Sequence, residues 1–238
     1  MAAKRRFGVS THLFRNDRLS REHLLEIAAH GFETVELAAI RTHLPYDNPA
    51  AVLDVLQWLA ESRLELCGLH VQLPSTALEA GGEDAEAALF VARQIPLKTL
   101  TLQVARPRQA AKQVDRLTAL AEPLGVTIAI DSASDGLSPI GSLVHFVEGF
   151  EARVGIALDF GRARRDGDLV EAIEVASEHL TLVRLPVDPR IDWPSALTAL
   201  QKVGYEGPML LEPPRGAPKA ALADARTARE RLERLLAG

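Results

Sequence analysis

Cysteine is almost missing from this chain of 238 residues; Cys67 is the single one. One thiol closes no intrachain disulfide. It sits in the apolar run "LELCGLH", where it reads as a small packed hydrophobe. Long apolar runs are missing too. Nothing reaches the ~18 uncharged apolar residues of a membrane span. The basic start "MAAKRR" leads into "FGVSTHLFRNDR", not into the roughly 7–15 apolar residues of a secretory signal. The expectation is a cytoplasmic protein with no membrane partner. A basic surplus is also lacking: the formal net charge is -5. That argues against a nucleic-acid partner, since phosphate binding wants a basic surface. No stretch rich in Ser, Gly and Pro divides the chain, so one domain over 1–238 is expected.

What is present is alternation. Short apolar runs at 7–11, 34–38, 64–70, 99–104, 126–131, 154–160, 180–186 and 208–212 each precede a stretch with helical spacing. The helix signals have mechanisms. Ser20 precedes "REHLLEIAAH", and Gly31 can supply a left-handed stop. Asn48 and Pro49 read as N-cap and first helical residue. Asp168 and Glu171 have capping-box spacing, and Pro194 can begin a helix that Gly204 ends. "HGFETVELA" and "VGYEGPMLLE" echo one another: a helix-ending glycine, an aromatic, a glutamate, then a strand. Alternating strands and helices imply parallel strands with crossovers. Units of about 30 residues approach the ~250-residue (β/α)8 barrel. The rival doubly wound sheet wants a glycine-rich first turn, and none follows "FGVST".

Strand side chains alternate faces. One parity, with Val35, Leu37, Cys67, Leu69, Ile128, Ile130, Ile156 and Leu158, is uniformly apolar and belongs under helices. The other is small or mixed and ends in polar residues: Glu36, His70, Gln103, Asp131, Asp159, Arg184 and Glu212. It also holds Leu66 on strand three, and Gly8, Ser10 and His12 at strand one. Burying so many polar groups is costly unless they pair, meet water or bind something, and barrel active sites sit at the C-terminal ends of the strands.

Asp131, Asp159 and Glu212 would gather three carboxylates around one mouth. Like charges that close need a cation or raised pKa values. Mg²⁺ or Mn²⁺ is one answer; the permanent guanidinium groups of Arg162 and Arg184 are the other. Arg215 and Gly216, ahead of the last helix, could take a phosphate or could form a solvated loop.

These segments resemble the xylose isomerase-like barrel superfamily, which includes sugar-phosphate isomerases, epimerases and apurinic endonucleases. The likeness is carried by "GFETVELA", "GVTIAID", "VGIALDFGRA" and above all "IDWPSALTALQKVGYEGPMLLEPP". It implies a metal held at Asp131, Asp159, Arg184 or Leu185, and Glu212, with the two outer acids also moving protons beside a sugar carbonyl. The departures fall on those positions. Asp131 stands where glutamate is usual, strand seven offers no histidine, Arg162 replaces a histidine three residues after Asp159, and Gln103 replaces a strand-four histidine.

The resulting expectation is an isomerase or epimerase acting on a small carbohydrate, phosphorylated or not. Asp131 and Glu212 are its acid and base, and Glu36, His70, Gln103, Arg162 and Arg184 contact substrate. Asp131, Asp159 and Glu212 are candidate ligands for Mn²⁺ or Mg²⁺, with a metal-free version in which Arg162 and Arg184 carry the positive charge. A homo-oligomer stays open. The alternative is a catalytically inactive sugar-binding or regulatory protein on the same barrel. A zinc-dependent repair nuclease needs a histidine-rich site and a basic surface, which the sequence lacks.

Overall fold

The computed structural model describes residues 6–73, 78–104, 107–132, 137–214 and 216–237. Eight parallel strands close into a barrel in chain order: β1 (Phe7–Ser10), β2 (Thr34–Ala38), β3 (Glu65–Leu73), β4 (Thr99–Val104), β5 (Thr127–Asp131), β6 (Gly155–Asp159), β7 (Leu180–Pro186) and β8 (Met209–Glu212). Closure is made by β1 on β8, with Gly8 opposite Leu210. The (β/α)8 barrel read from the sequence is therefore the fold. Strand ends differ by up to three residues. Thr11 leaves β1 for a 3-10 turn over Thr11–Phe14, and β3 runs on past His70 to Leu73.

Helices α1 (Arg21–Ala29), α2 (Pro49–Ser62), α3 (Leu78–Leu89), α4 (Pro107–Ala121) and α5 (Ile140–Glu148) follow the first five strands after the opening turn. Asn48 caps α2 through its side chain, which accepts from the Ala50 N–H, and Pro49 opens the helix. One helix is expected after β6, but two are present, α6 (Phe160–Asp166) and α7 (Leu169–Val175). The break follows from Asp168, whose side chain accepts from Val170 and Glu171 N–H and starts a second helix. Helices α8 (Trp193–Lys202) and α9 (Pro218–Ala237) complete the coat. The two echoed junctions share a mechanism: Gly31 and Gly204 have φ of 80° and 68°, and the aromatics after them, Phe32 and Tyr205, are buried. No helix among the described residues is long and apolar enough to cross a membrane.

The apolar parity packs under the helices as one large core that includes Val35, Leu37, Leu69, Leu100, Ile128 and Ile156. The lumen is filled separately by Cys67, Ala157, Leu182 and Leu210. Here the simple alternation needs correcting. Val35 pairs with Leu66 but Glu36 pairs with Gly68, so Cys67 is an extra residue in β3. This bulge turns Leu66 out into the helix-facing core and Cys67 into the barrel, the reverse of the expected parity. A second shift, at Thr181, aligns Asp159 with Arg184 across β6 and β7. Two glycines make room in the lumen. A Cβ on Gly8 would lie 2.3 Å from Thr34 Oγ1, and one on Gly155 1.9 Å from Thr181 Oγ1.

Candidate active site at the barrel mouth

The C-terminal ends of the strands open into a cavity of about 370 Å³. His70, Gln103, Asp131, Asp159, Arg184 and Glu212 line it, together with Ser10 and His12 from the first strand and turn. The volume lies in the range of small-molecule sites, roughly 300–1,000 Å³. Strand alternation delivers the strand-borne side chains, because each sits at or near the last inward position of its strand, and the 3-10 turn after β1 adds His12.

Arg184 organises the floor. Its side chain is only 4% exposed, and Glu36 beneath it is fully closed to solvent. Nη1 donates to Glu36 Oε2 at 2.9 Å and Nη2 to Glu36 Oε1 at 2.8 Å, a planar two-bond fork. Nε donates to Asp131 Oδ2 at 3.0 Å. Nη1 also reaches Glu212 Oε1, at a loose 3.5 Å. One guanidinium thus joins acids from β2, β5 and β8.

The arrangement sets the proton affinities. Burial works against charge on Glu36, but the Arg184 charge outweighs it, and the Glu36 carboxyl stays below its usual range. Glu212 goes the other way. Desolvation pushes its carboxyl up to about 8; Arg184 opposes this, and the acids Asp159, Asp131 and Glu36 add to it. Glu212 is therefore the acid of this ring that most favours its protonated form. Burial first, then the Asp131 charge, raise the Asp159 carboxyl, while the Arg162 backbone N–H pulls it down. Burial and then Arg184 lower the His70 imidazole and favour its neutral form, against the pull of Glu36 and Asp131. His70 Nε2 lies 3.7 Å from Asp131 Oδ2 and has no hydrogen-bond partner among the described residues; Thr101 Oγ1, on the neighbouring strand, has none either.

Not every expected residue meets here. Gln103 lies at the mouth and its Oε1 accepts from Gln72 Nε2 at 3.0 Å. Asp159 lines the cavity but also caps α6, accepting from the Arg162 N–H at 2.9 Å, while its own N–H donates to Ser132 Oγ at 2.7 Å. Arg162 itself turns away. Its Nε donates to Asp166 Oδ2 at 2.9 Å, and it lines a separate cavity of about 300 Å³ beside α5, α6 and α7. The reason is local: Asp166 is one helical turn on and supplies the nearer acid. His43 is buried and holds structure, bonding Asp17 O and Thr11 Oγ1. Arg215 lies outside the described residues. The cavity also takes in Arg15, Asn16 and Gln72. Gln72 shares the parity of His70 and a longer third strand would have found it; Arg15 and Asn16 follow a non-periodic turn and carry no such signal.

The donor set tests a metal directly. A divalent ion needs several oxygen or nitrogen ligands with open lone pairs converging on one point. Here the converging oxygens of Glu36, Asp131 and Glu212 accept N–H bonds from Arg184, which cannot coordinate a cation. No group of three or more His, Cys, Asp or Glu among the described residues is disposed to hold a metal ion. The residues present do not fit a metal at this centre.

The family model described as xylose isomerase-like TIM barrel matches residues 24–235. No curated protein sequence matches. Among solved structures, the chain resembles D-psicose 3-epimerase from Clostridium cellulolyticum H10, at 16% identity over 97% of this chain and 99% of that one, with a TM-score of 0.81. It resembles 3-keto-D-glucoside 4-epimerase from E. coli at 14% identity, over 94% and 100%, with a TM-score of 0.75. A xylose isomerase-like TIM barrel protein from Mycobacterium smegmatis, solved in complex with magnesium, gives 13% identity over 98% and 97% and a TM-score of 0.81. At these identities the likeness carries the fold.

Proposed function

From the premise that the chain belongs to the xylose isomerase-like TIM-barrel family, we propose that it is a sugar isomerase/epimerase-like protein that moves a proton beside a carbonyl at the barrel mouth. The observation that carries this is the gathering of Asp131, His70 and a Glu212 that favours its protonated form around one buried arginine on the floor of a ligand-sized cavity. The structurally similar sugar epimerases support the substrate class.

The chemistry balances with this chain's own groups. The Asp131 carboxylate takes the proton from the carbon next to the carbonyl, and the bonding pair moves onto the carbonyl oxygen as an enediolate. Arg184, held in place before substrate arrives, offers fixed positive charge to that oxygen. Glu212 returns a proton to carbon from its side, and exchange with solvent resets both acids. His70, neutral, positions a substrate hydroxyl. The test is incubation with candidate ketoses in deuterated water. Solvent deuterium at the carbon beside the carbonyl of the epimerised product, lost in Glu212→Gln, supports the reaction.

A second reading has its own observation. Arg184 Nε holds Asp131 Oδ2 at 3.0 Å, which ties up part of the group assigned as base. On that reading the mouth binds a small carbohydrate without turnover. Saturable sugar binding with no deuterium uptake in any candidate would select it.

A further inference from the structure

We propose that Arg184 is the resident cation of this mouth, built into the chain so that the ring of acids is closed to divalent metal ions. The family's fold neighbours include a magnesium complex, and this chain has acids enough for an oxygen-ligand site: Glu36, Asp131, Asp159 and Glu212. What separates it from one is the guanidinium at the centre.

The geometry explains why a metal does not simply displace it. Arg184 is buried to 3% exposure and is gripped on three edges, by Glu36 through the fork, by Asp131 at Nε and by Glu212 at Nη1. Glu36 has no exposure at all. Swinging the arginine out would break its hydrogen bonds to three acids and leave the fully buried Glu36 without its fork. Breaking a buried pair in this way weakens competing binding by roughly a hundredfold or more. A guanidinium also cannot lose its proton to make room, as a lysine or histidine would. The register shift at Thr181 matters here, because it aligns Arg184 with Asp159 and keeps the arginine on the lumen side.

The inference concerns occupancy and needs no turnover, so it stands or falls apart from the proposed reaction. The experiment is titration with Mn²⁺ alone at neutral pH, read by the loss of its free-ion EPR signal. The wild type takes up no more Mn²⁺ than Asp131→Asn does. Arg184→Ala gains one site, roughly tenfold or more tighter than any wild-type uptake, and Arg184→Ala with Asp131→Asn loses it. If Arg184→Ala does not fold, Arg184→Met, which fills the same space without charge, replaces it, and the wild-type arm stands regardless. A stoichiometric Mn²⁺ site in the wild type that disappears in Asp131→Asn overturns the proposal. So does a folded Arg184→Ala or Arg184→Met protein that gains no site.

Discussion

Arg184 and Glu36, 148 residues apart in the chain, meet through two parallel hydrogen bonds of 2.9 and 2.8 Å, both side chains buried in the barrel. The pair links β7 to β2 across the lumen, and so couples the two halves of the sheet. Removing Glu36 strips the buried guanidinium of its two-bond partner and leaves it Asp131 and the looser Glu212 contact; breaking a buried pair costs about 3–5 kcal/mol. Glu36→Ala is therefore expected to lower unfolding stability by that order, measured by urea denaturation. Glu36→Gln, which keeps the shape and one acceptor, should lose less. A Glu36→Ala protein as stable as the wild type would show that the fork contributes nothing.

The pH dependence of stability isolates Glu212. Its carboxyl stands at about 8 in the folded chain against an ordinary 4.5. As pH rises through the ordinary value, the unfolded chain ionises this group while the folded one cannot. The stabilisation present in acid is thus lost progressively and levels off above about 8. The side chain keeps 38% exposure, so solvent screens part of the effect and the slope is shallow. Glu212→Gln removes the group. Its stability relative to wild type should rise between pH 5 and 8 and then run parallel, followed by denaturant midpoint across pH 5 to 9. Parallel curves throughout would mean that the folded carboxyl titrates normally.

In the proposed reaction the same residue supplies the proton that returns to carbon. If Glu212 donates its proton, deuterium exchange falls as pH passes about 8. Glu212→Gln loses roughly 10²–10⁴ of the rate. Glu212→Asp keeps an acid but shortens the reach, and should retain a measurable fraction with the same alkaline limb. A rate unchanged in Glu212→Gln removes the residue from the chemistry.

Much of this site was legible because a strand's period of two is unforgiving. Asp131, Arg184 and Glu212 fall on the same parity as small or apolar lumen residues, and the barrel brings them to one mouth. Their partnership was not legible. Nothing in the chain says that the arginine of β7 would point its fork at Glu36 and only its flank at Asp131. The exchange of Leu66 and Cys67 was hidden for a related reason. One extra residue in β3 reverses every assignment before it, and a bulge has no marker in an apolar run. Arg162 was misdirected by position alone, since three residues after Asp159 lies the first turn of α6, where capping and Asp166 decide direction.

Lumen packing gives a prediction that leaves the site chemistry untouched. A Cβ on Gly8 would press within 2.6 Å of the Thr34 backbone oxygen, which belongs to a paired strand and cannot yield. Gly8→Ala should cost about 1–3 kcal/mol through overpacking. Gly141, in the first turn of α5, has nothing within 4 Å of a new Cβ. Gly141→Ala should be neutral or stabilise by about 0.4–1 kcal/mol, by restricting the unfolded chain. Thermal melts of the two variants side by side check both signs.

Arg162 separates the position in the sequence from the position in space. The resemblance puts it where a histidine would contact substrate, yet its guanidinium bonds Asp166 and its backbone N–H serves the Asp159 cap. The cap bond uses the main chain and survives any side-chain replacement. The ion pair is an exposed one between residues one turn apart, worth about 0.3–0.5 kcal/mol. Arg162→Ala should accordingly melt within about a degree or two of wild type, bind candidate sugars with unchanged affinity, and keep its exchange rate. Arg184→Lys, by contrast, keeps the charge and loses the fork, and should impair sugar binding or exchange by at least roughly tenfold. A large loss in Arg162→Ala would show that the side chain swings from Asp166 into the mouth when substrate arrives, and that the floor of this site is completed by a second arginine.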